Sequence, residues 1–151
     1  MFRGLHHVSV DAKGRMSLPA RIRDELLQYE DMTIVVTIDP MSPCLLMYPI
    51  SEWELIQAKL DKLPTFQPQA RRLQRLLVGH ATDLDIDKAG RVLLPAPLRE
   101  FAQLDKKIAL IGQGKKIEVW RQDLWETQRD QYLEQSDESE QQLNSIMDIS
   151  L

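Results

Sequence analysis

Two short segments carry the residues best suited to chemistry, Asp11-Ala-Lys-Gly-Arg15 and Asp87-Lys-Ala-Gly-Arg91. In each, a guanidinium follows a carboxylate by four positions, and a glycine, Gly14 or Gly90, stands just before it. Arginine offers a planar fork of N–H donors that pairs with a phosphate or with the edge of a guanine. A neighbouring aspartate can aim that fork. The plainer reading is an Asp11–Arg15 or Asp87–Arg91 bridge that only pins a turn, and such surface pairs contribute about 0–1 kcal/mol. The two readings are compatible. Lys13, Arg21, Arg23 and Lys88 are further candidates for DNA contact, as is Arg3 on an N-terminal arm. Each of these competes with the role of an ordinary solvated charge.

Other chemistries find little in the sequence. His6 and His7 are adjacent and His80 stands alone, without the further ligands at helical or hairpin spacing that a metal site needs. Cys44 is the sole cysteine; it lies in an apolar stretch and reads as a small core residue. No nucleophile elbow and no glycine-rich phosphate loop are present. The expectation is a protein with no catalytic residue, no metal and no cofactor.

The two arginine segments belong to a longer internal repeat. Residues 11–23 recur as residues 87–99, with Asp, Gly, Arg, Leu, Pro, Ala and the final Arg matching at an offset of 76. Beyond Arg99 the offset becomes 72, so that Tyr48 matches Trp120 and Trp53 matches Trp125. A four-residue deletion in one loop of the second copy accounts for the change. The repeat places one module at residues 1–63, a linker and connecting helix at 64–79, a second module at 80–133 and an acidic tail at 134–151. Copies this small imply a pseudo-two-fold arrangement that buries both apolar faces.

Each copy has the same predicted plan. Val8 and Val10, like Leu84 and Ile86, alternate with polar residues as in a half-buried strand. The Asp-x-x-Gly segment suits a type I turn with a bulge at glycine, and Arg15 or Arg91 starts the returning strand. Pro19 opens a helix that buries Ile22, Leu26 and Leu27; Pro95 opens one that buries Leu98, Phe101 and Ala102. Strands follow near 33–38 and 44–48, and near 107–111 and 116–120, the latter two joined by Gly112-Gln-Gly114. Ser51-x-x-Glu54 and Asp123-x-x-Glu126 have capping-box spacing ahead of closing helices, and Trp53, Ile56 and Leu60 share a helix face. Residues 69–78 read as a helix ended by Gly79, with Arg71, Arg72 and Arg75 outward for solvent or a subunit contact. The fold class is therefore α+β and rich in strands.

Charge is unevenly spread. The formal net charge is −4, but the six acidic residues from Asp130 onward meet no Lys or Arg, and the first 129 residues carry a net of +2. Among the first 23 residues five basic groups face only Asp11. A local basic patch with a separate acidic tail suits a nucleic-acid binder. No apolar run is long enough to span a bilayer, and the first residues lack the apolar core of a signal peptide, so the expected location is the cytoplasm, in association with the nucleoid.

The twice-used Asp-x-x-Gly-Arg motif, the Leu-Pro-Ala that follows it and the tandem layout resemble the MraZ family. So do Leu46-Met-Tyr-Pro49 with Glu52-Trp-Glu54, and the run from Arg72 to Gly79. The resemblance covers the chain from Phe2 to about Leu133, and the acidic tail matches least. It implies two SpoVT/AbrB-like swapped-hairpin modules packed as an intramolecular pseudo-dimer. It also implies a homo-oligomeric ring and binding of double-stranded DNA at repeated promoter boxes, with repression of the protein's own division and cell-wall operon. Two alternatives stay open. One is an antitoxin-like DNA-binding module that neutralises a toxin partner, to which the acidic tail would suit. The other is a ring-forming scaffold with no DNA role.

Overall fold

The computed structural model describes residues 1–29 and 32–135; the acidic tail expected at 134–151 lies almost wholly outside them. In chain order the elements are β1 (Phe2–Ser9), β2 (Arg15–Ser17), α1 (Ala20–Leu27), β3 (Thr33–Ile38), β4 (Leu45–Pro49), α2 (Ile50–Asp61), α3 (Pro68–Leu73), a π-helical turn (Gln74–Val78), β5 (Thr82–Asp85), β6 (Arg91–Leu93), α4 (Ala96–Phe101), β7 (Lys107–Gly114), β8 (Ile117–Arg121) and α5 (Gln122–Glu134). The chain divides into two compact units, Met1–Arg121 and the segment from Gln122 onward.

In the first unit six strands form one antiparallel sheet in the order β1-β7-β8-β4-β3-β5, and β2 pairs with β6 in a separate two-stranded sheet. Exchanging each strand for its counterpart (β1 with β5, β2 with β6, β3 with β7, β4 with β8) reverses the six-strand order and leaves it unchanged. Two cross-strand pairs join residues that match each other in the repeat: Met16 faces Val92, and Leu46 faces Glu118. A pseudo-two-fold axis therefore passes through both sheets, and the two copies fold as an intramolecular pseudo-dimer. The change of offset comes in two steps rather than from one loop. The starts of α1 and α4 lie 76 residues apart, those of β3 and β7 lie 74 apart, and those of β4 and β8 lie 72 apart, so two residues are lost ahead of β7 and two more by the start of β8.

Most strand pairing crosses between copies. β1 pairs with β7, β3 with β5, β4 with β8 and β2 with β6; only β3–β4 and β7–β8 pair within a copy. The first predicted hairpin accordingly closes only at its tip, through the Asp11 N–H to Arg15 carbonyl bond of 2.9 Å and a Val10–Met16 bridge. Its returning strand then leaves for the other copy.

The core follows from strand alternation. Ile34, Val36, Ile38, Leu45 and Met47 pack with Met16, Val92, Leu18, Leu94, Ile108, Leu110, Ile117 and Val119, closed by Ile22 and Leu26 of α1 and Leu98 of α4. Full burial of side chains of this size stabilises by about 1.5–3 kcal/mol each. Val35, Leu46 and Tyr48 point to the opposite face, where Trp53 and Leu60 of α2 cover them. Strands β3 and β4 are thus buried on both faces, which is why they read as continuous apolar runs. Thr37 is the exception in that run; its buried hydroxyl donates to the Leu77 carbonyl at 2.6 Å.

Several local expectations are corrected. Helices α1, α2 and α4 each begin directly after a proline in extended conformation, with φ of −58°, −57° and −60° at Pro19, Pro49 and Pro95. The proline ring fixes φ and so sets the entry point. Ser51 consequently falls inside α2, which has no side-chain cap, and Asp123 likewise falls inside α5. Leu27 and Phe101 lie at the last positions of their short helices, past the turn that meets the core, and are 58% and 38% exposed. Gly79 caps the π-helical turn at a φ of −63°, a right-handed value open to any residue, so the stop makes no use of glycine's left-handed freedom. The hairpin after β7 turns at Lys115-Lys116, so Gly112 and Gly114 belong to the strand. Arg3 is not on a free arm; it lies in β1 opposite Gln113.

Helix α5, in the second unit, starts 72 residues after α2 and so matches it in the repeat. Within it the Thr127 hydroxyl donates to the Asp123 carbonyl at 3.1 Å, and Gln122 donates to Glu126 at 3.1 Å.

Candidate nucleic-acid interface

The β2–β6 ribbon has one buried and one outward face. Met16 and Val92, on the pseudo-two-fold axis, point into the core and are almost completely buried. Alternation then places Arg15 and Ser17 of β2, with Leu93 and Arg91 of β6 opposite them, on the outer face. Arg15 and Arg91 are diagonal neighbours, at a spacing of about 7–8 Å for such positions. Leu93 is 56% exposed on this face, a large apolar side chain beside two guanidinium groups.

Both turns are built alike. Asp11 accepts from the backbone N–H groups of Lys13 and Arg15 at 2.9 Å each through one oxygen, and from Arg15 Nε at 2.9 Å through the other. Asp87 accepts from the N–H groups of Ala89 and Arg91 at 2.9 Å, and from Arg91 Nε at 3.1 Å. The backbone N–H of Arg15 first of all, then the Arg15 side chain and the Lys13 N–H, hold the Asp11 carboxyl below its ordinary 3.8. The N–H of Arg91, then that of Ala89 and the Arg91 side chain, do the same for Asp87. Because the folded value is depressed, the stability these carboxylates contribute is present above 3.8 and fades only as pH falls through the lower folded value. Each aspartate engages Nε of its arginine and leaves the two terminal nitrogens, which make no hydrogen bond among the described residues. The bridge and the presentation of a free donor fork are therefore one arrangement.

Gly14 and Gly90 have φ of +89° and +77°, which a side chain tolerates poorly. They also lie against arginines of the opposite copy. A Cβ on Gly90 would meet Arg23 Nη1 at 2.4 Å, and one on Gly14 would meet Arg99 Cζ at 2.8 Å. The Gly90 carbonyl accepts from Leu18 and the Gly14 carbonyl from Leu94, both at 2.9 Å. Each copy thus supports the other copy's turn. We expect Gly90→Ala to lower the melting temperature by roughly 2–8 °C, from a left-handed conformation costing about 1–2 kcal/mol. A thermal melt of the variant checks this, and an unchanged midpoint would mean that the turn relaxes freely.

The remaining candidates separate by position. Lys13 and Lys88 are exposed in the turns, at non-matching places: Lys13 corresponds to Ala89, and Lys88 to Ala12. Arg21 is exposed in the first turn of α1, and Arg3 is exposed in β1. Arg23 is half-buried against Gly90, with its Nε buried and without a partner. Arg99, which matches Arg23 in the repeat, went unremarked as a site residue. It donates to the Leu94 carbonyl at 3.0 Å while its guanidinium lies beside Gly14. The repeated Arg at the end of the motif was the available signal. Arg71 and Arg72 of α3, with Arg75 of the π-helical turn, are exposed as expected.

Among the described residues one group, Asp39, Cys44 and Glu118, brings three possible metal ligands within 4.8 Å of one another. Its members already have protein partners: Cys44 donates to Asp39 at 3.6 Å, and Glu118 accepts from Trp120 Nε1 at 2.8 Å. Burial, reinforced by the two carboxylates, pushes the Cys44 thiol well above its ordinary range. Among the described residues no helix is long and apolar enough to cross a membrane.

The fold and its outer ribbon define a tandem pair of SpoVT/AbrB-like swapped-hairpin modules in one chain. A family model described as "MraZ protein, putative antitoxin-like" matches twice, over residues 1–76 and 77–145. The chain is 73% identical to the transcriptional regulator MraZ of Marinomonas sp. (strain MWYL1), over 100% of both chains. It is 54% identical to that of Alkalilimnicola ehrlichii, over 90% of this chain and 91% of the relative, and 50% identical to that of Legionella pneumophila (strain Corby), over 88% of each. The chain belongs to the MraZ family.

Proposed function

We propose that this protein is a sequence-specific DNA-binding transcriptional regulator without catalytic activity. The observation that carries the reading is the two-stranded ribbon on the pseudo-two-fold axis, with Arg15 and Arg91 on its outer face and their terminal nitrogens free of partners among the described residues. The major groove of DNA admits a two-stranded ribbon, and a guanidinium fork pairs there with guanine O6 and N7. Lys13 and Lys88 flank the ribbon for phosphate contact, with Arg21 and Arg3 as outer phosphate contacts. Arg23, with Arg99, holds the turns in place. The names of the relatives support the regulatory role.

In this reading residues 1–63 and 80–133 are the two modules, 64–79 connects them and 134–151 is an acidic tail. The protein works in the cytoplasm on the nucleoid. It forms a homo-oligomeric ring and represses its own division and cell-wall operon from repeated promoter boxes. One ribbon touches few phosphates and bases, so a single subunit binds weakly. A ring turns the second contact into an intramolecular one, and avidity rises by roughly 10²–10⁴. Titration against duplexes with one, two and three boxes is expected to give steeply rising affinity and a steeper salt dependence. Insertion of about half a helical turn, ~5 base pairs, between boxes turns one box away and reverses the gain. Equal affinity for all these duplexes would contradict the multivalent reading.

A second reading, an antitoxin-like module, draws on the family description and on the acidic residues after Asp130. Stoichiometric co-purification of a small toxin that is lost when residues 134–151 are removed would favour it.

A further inference from the structure

A recess of about 60 Å³ lies between the start of β1, helix α1 and Gly112 of β7. Phe2, Arg3, His6, Arg21 and Glu25 line it together with Gly112. Among the described residues the side chains of Arg3 and Arg21 make no hydrogen bond or ion pair. His6 Nε2 is buried and has no hydrogen-bond partner. The one carboxylate in the lining, Glu25, is held by the Met1 amino group at 2.9 Å. The recess therefore presents two uncompensated positive charges and an orphaned ring nitrogen. A buried polar nitrogen without a partner is destabilising, and an acceptor entering the recess would satisfy it.

The internal repeat serves as a comparison. At the offset of 76, the positions that match His6, Arg21 and Glu25 are Thr82, Pro97 and Phe101, while Gly79, which matches Arg3, lies at the end of the π-helical turn rather than in a strand. The second copy thus builds the matching strand and helix with no charged group at those three positions, and neither element requires the polar lining.

We propose that this recess binds a small tetrahedral oxyanion of the phosphate class. Arg3 and Arg21 supply the charge, and His6 donates its Nε2–H to one oxygen. The volume is roughly four times the ~15 Å³ that one water needs, which suits an ion with four oxygens. The site uses none of the ribbon arginines but shares Arg3 and Arg21 with the outer phosphate contacts proposed above, so binding of free phosphate is measured without DNA.

The test uses the full-length protein and inorganic phosphate, at constant ionic strength balanced with chloride. Isothermal calorimetry is expected to give a saturable heat. The melting temperature is expected to rise by roughly 5 °C or more at a hundredfold excess over Kd. His6→Thr installs the residue that the second copy already uses, and Arg21→Ala removes an exposed charge. Each is expected to weaken phosphate binding at least tenfold (order of magnitude, from loss of a charge-assisted contact) while melting near the wild-type temperature without phosphate. Phosphate also stabilises proteins generally by exclusion from their surface. An equal response in wild type and both variants would be that general effect and would overturn the proposal, as would the absence of a saturable heat. If wild type gives no phosphate heat while Arg21→Ala lowers the salt slope of DNA binding by about one, Arg21 serves the DNA backbone alone. The recess proposal then falls and the proposed function stands.

Discussion

Replacing Arg15 and Arg91 together with alanine is expected to reduce affinity for specific DNA by roughly 30- to 10⁴-fold per bound subunit while leaving the melting temperature almost unchanged. Each bidentate contact to a base contributes about 1–3 kcal/mol, and 1.4 kcal/mol is tenfold in affinity. The fold tolerates the change because both side chains lie on the outer face of the ribbon, whereas Met16 and Val92 anchor its inner face. What is lost internally is one exposed Asp–Arg bridge per turn, at 2.9 Å and 3.1 Å, and solvent-screened pairs of that kind stabilise little. Each aspartate keeps its two backbone N–H partners, so the turn persists. Arg15→Ala and Arg91→Ala singly are expected to have similar effects, since the two turns have the same geometry. Mobility shifts at a stated salt concentration, beside thermal melts of the same preparations, check the claim. Wild-type affinity in a folded double variant would remove the ribbon from the account.

The second large effect concerns the copies themselves. A fragment ending at Leu63 is expected to be unfolded or to pair with itself, never to be a stable monomer. In the intact chain β1, β2 and the outer side of each of β3 and β4 find their partners in the second copy. Of the eighteen residues in the main core cluster, eight come from beyond residue 90. The fragment would keep one paired hairpin, β3–β4, and expose the rest of its core to water. Units of this size seldom bury enough surface to fold alone. Self-pairing is the one rescue available, because β2 would find the strand most like β6 in a second copy of itself. Analytical ultracentrifugation with a thermal melt distinguishes the outcomes. A monomer that melts cooperatively would mean that the copies are independent.

The strands, the repeat and the arginine pair were legible in the sequence because they rest on local signals. Alternation at Val8 and Val10, or at Met16 and Leu18, assigns faces, and the matching residues at offsets of 76 and 72 assign a second copy. Alternation does not name a strand's partner, so the crossing of β2 to β6 had to come from the three-dimensional arrangement. The role of Arg23 and Arg99 was hidden for the same reason, since each acts on a glycine of the other copy. Helix ends misled in a different way. Ser51-x-x-Glu54 has the spacing of a capping box, but Pro49 starts the helix two residues earlier and removes the need for it. Leu27 and Phe101 fit the apolar periodicity of α1 and α4, yet helices of eight and six residues run out of core to meet.

The central claim is that the β2–β6 ribbon reads base edges in the major groove. Methylation of guanine N7 tests it most directly, because that methyl group occupies the atom a guanidinium fork would bind. A lightly methylated promoter duplex is mixed with the full-length protein, and the bound and free fractions are cleaved at modified guanines. Particular guanines within each box are expected to be depleted from the bound fraction, and the depletion is expected to disappear with the Arg15→Ala, Arg91→Ala variant in whatever DNA it still retains. The same pattern of methylation in bound and free DNA would contradict it.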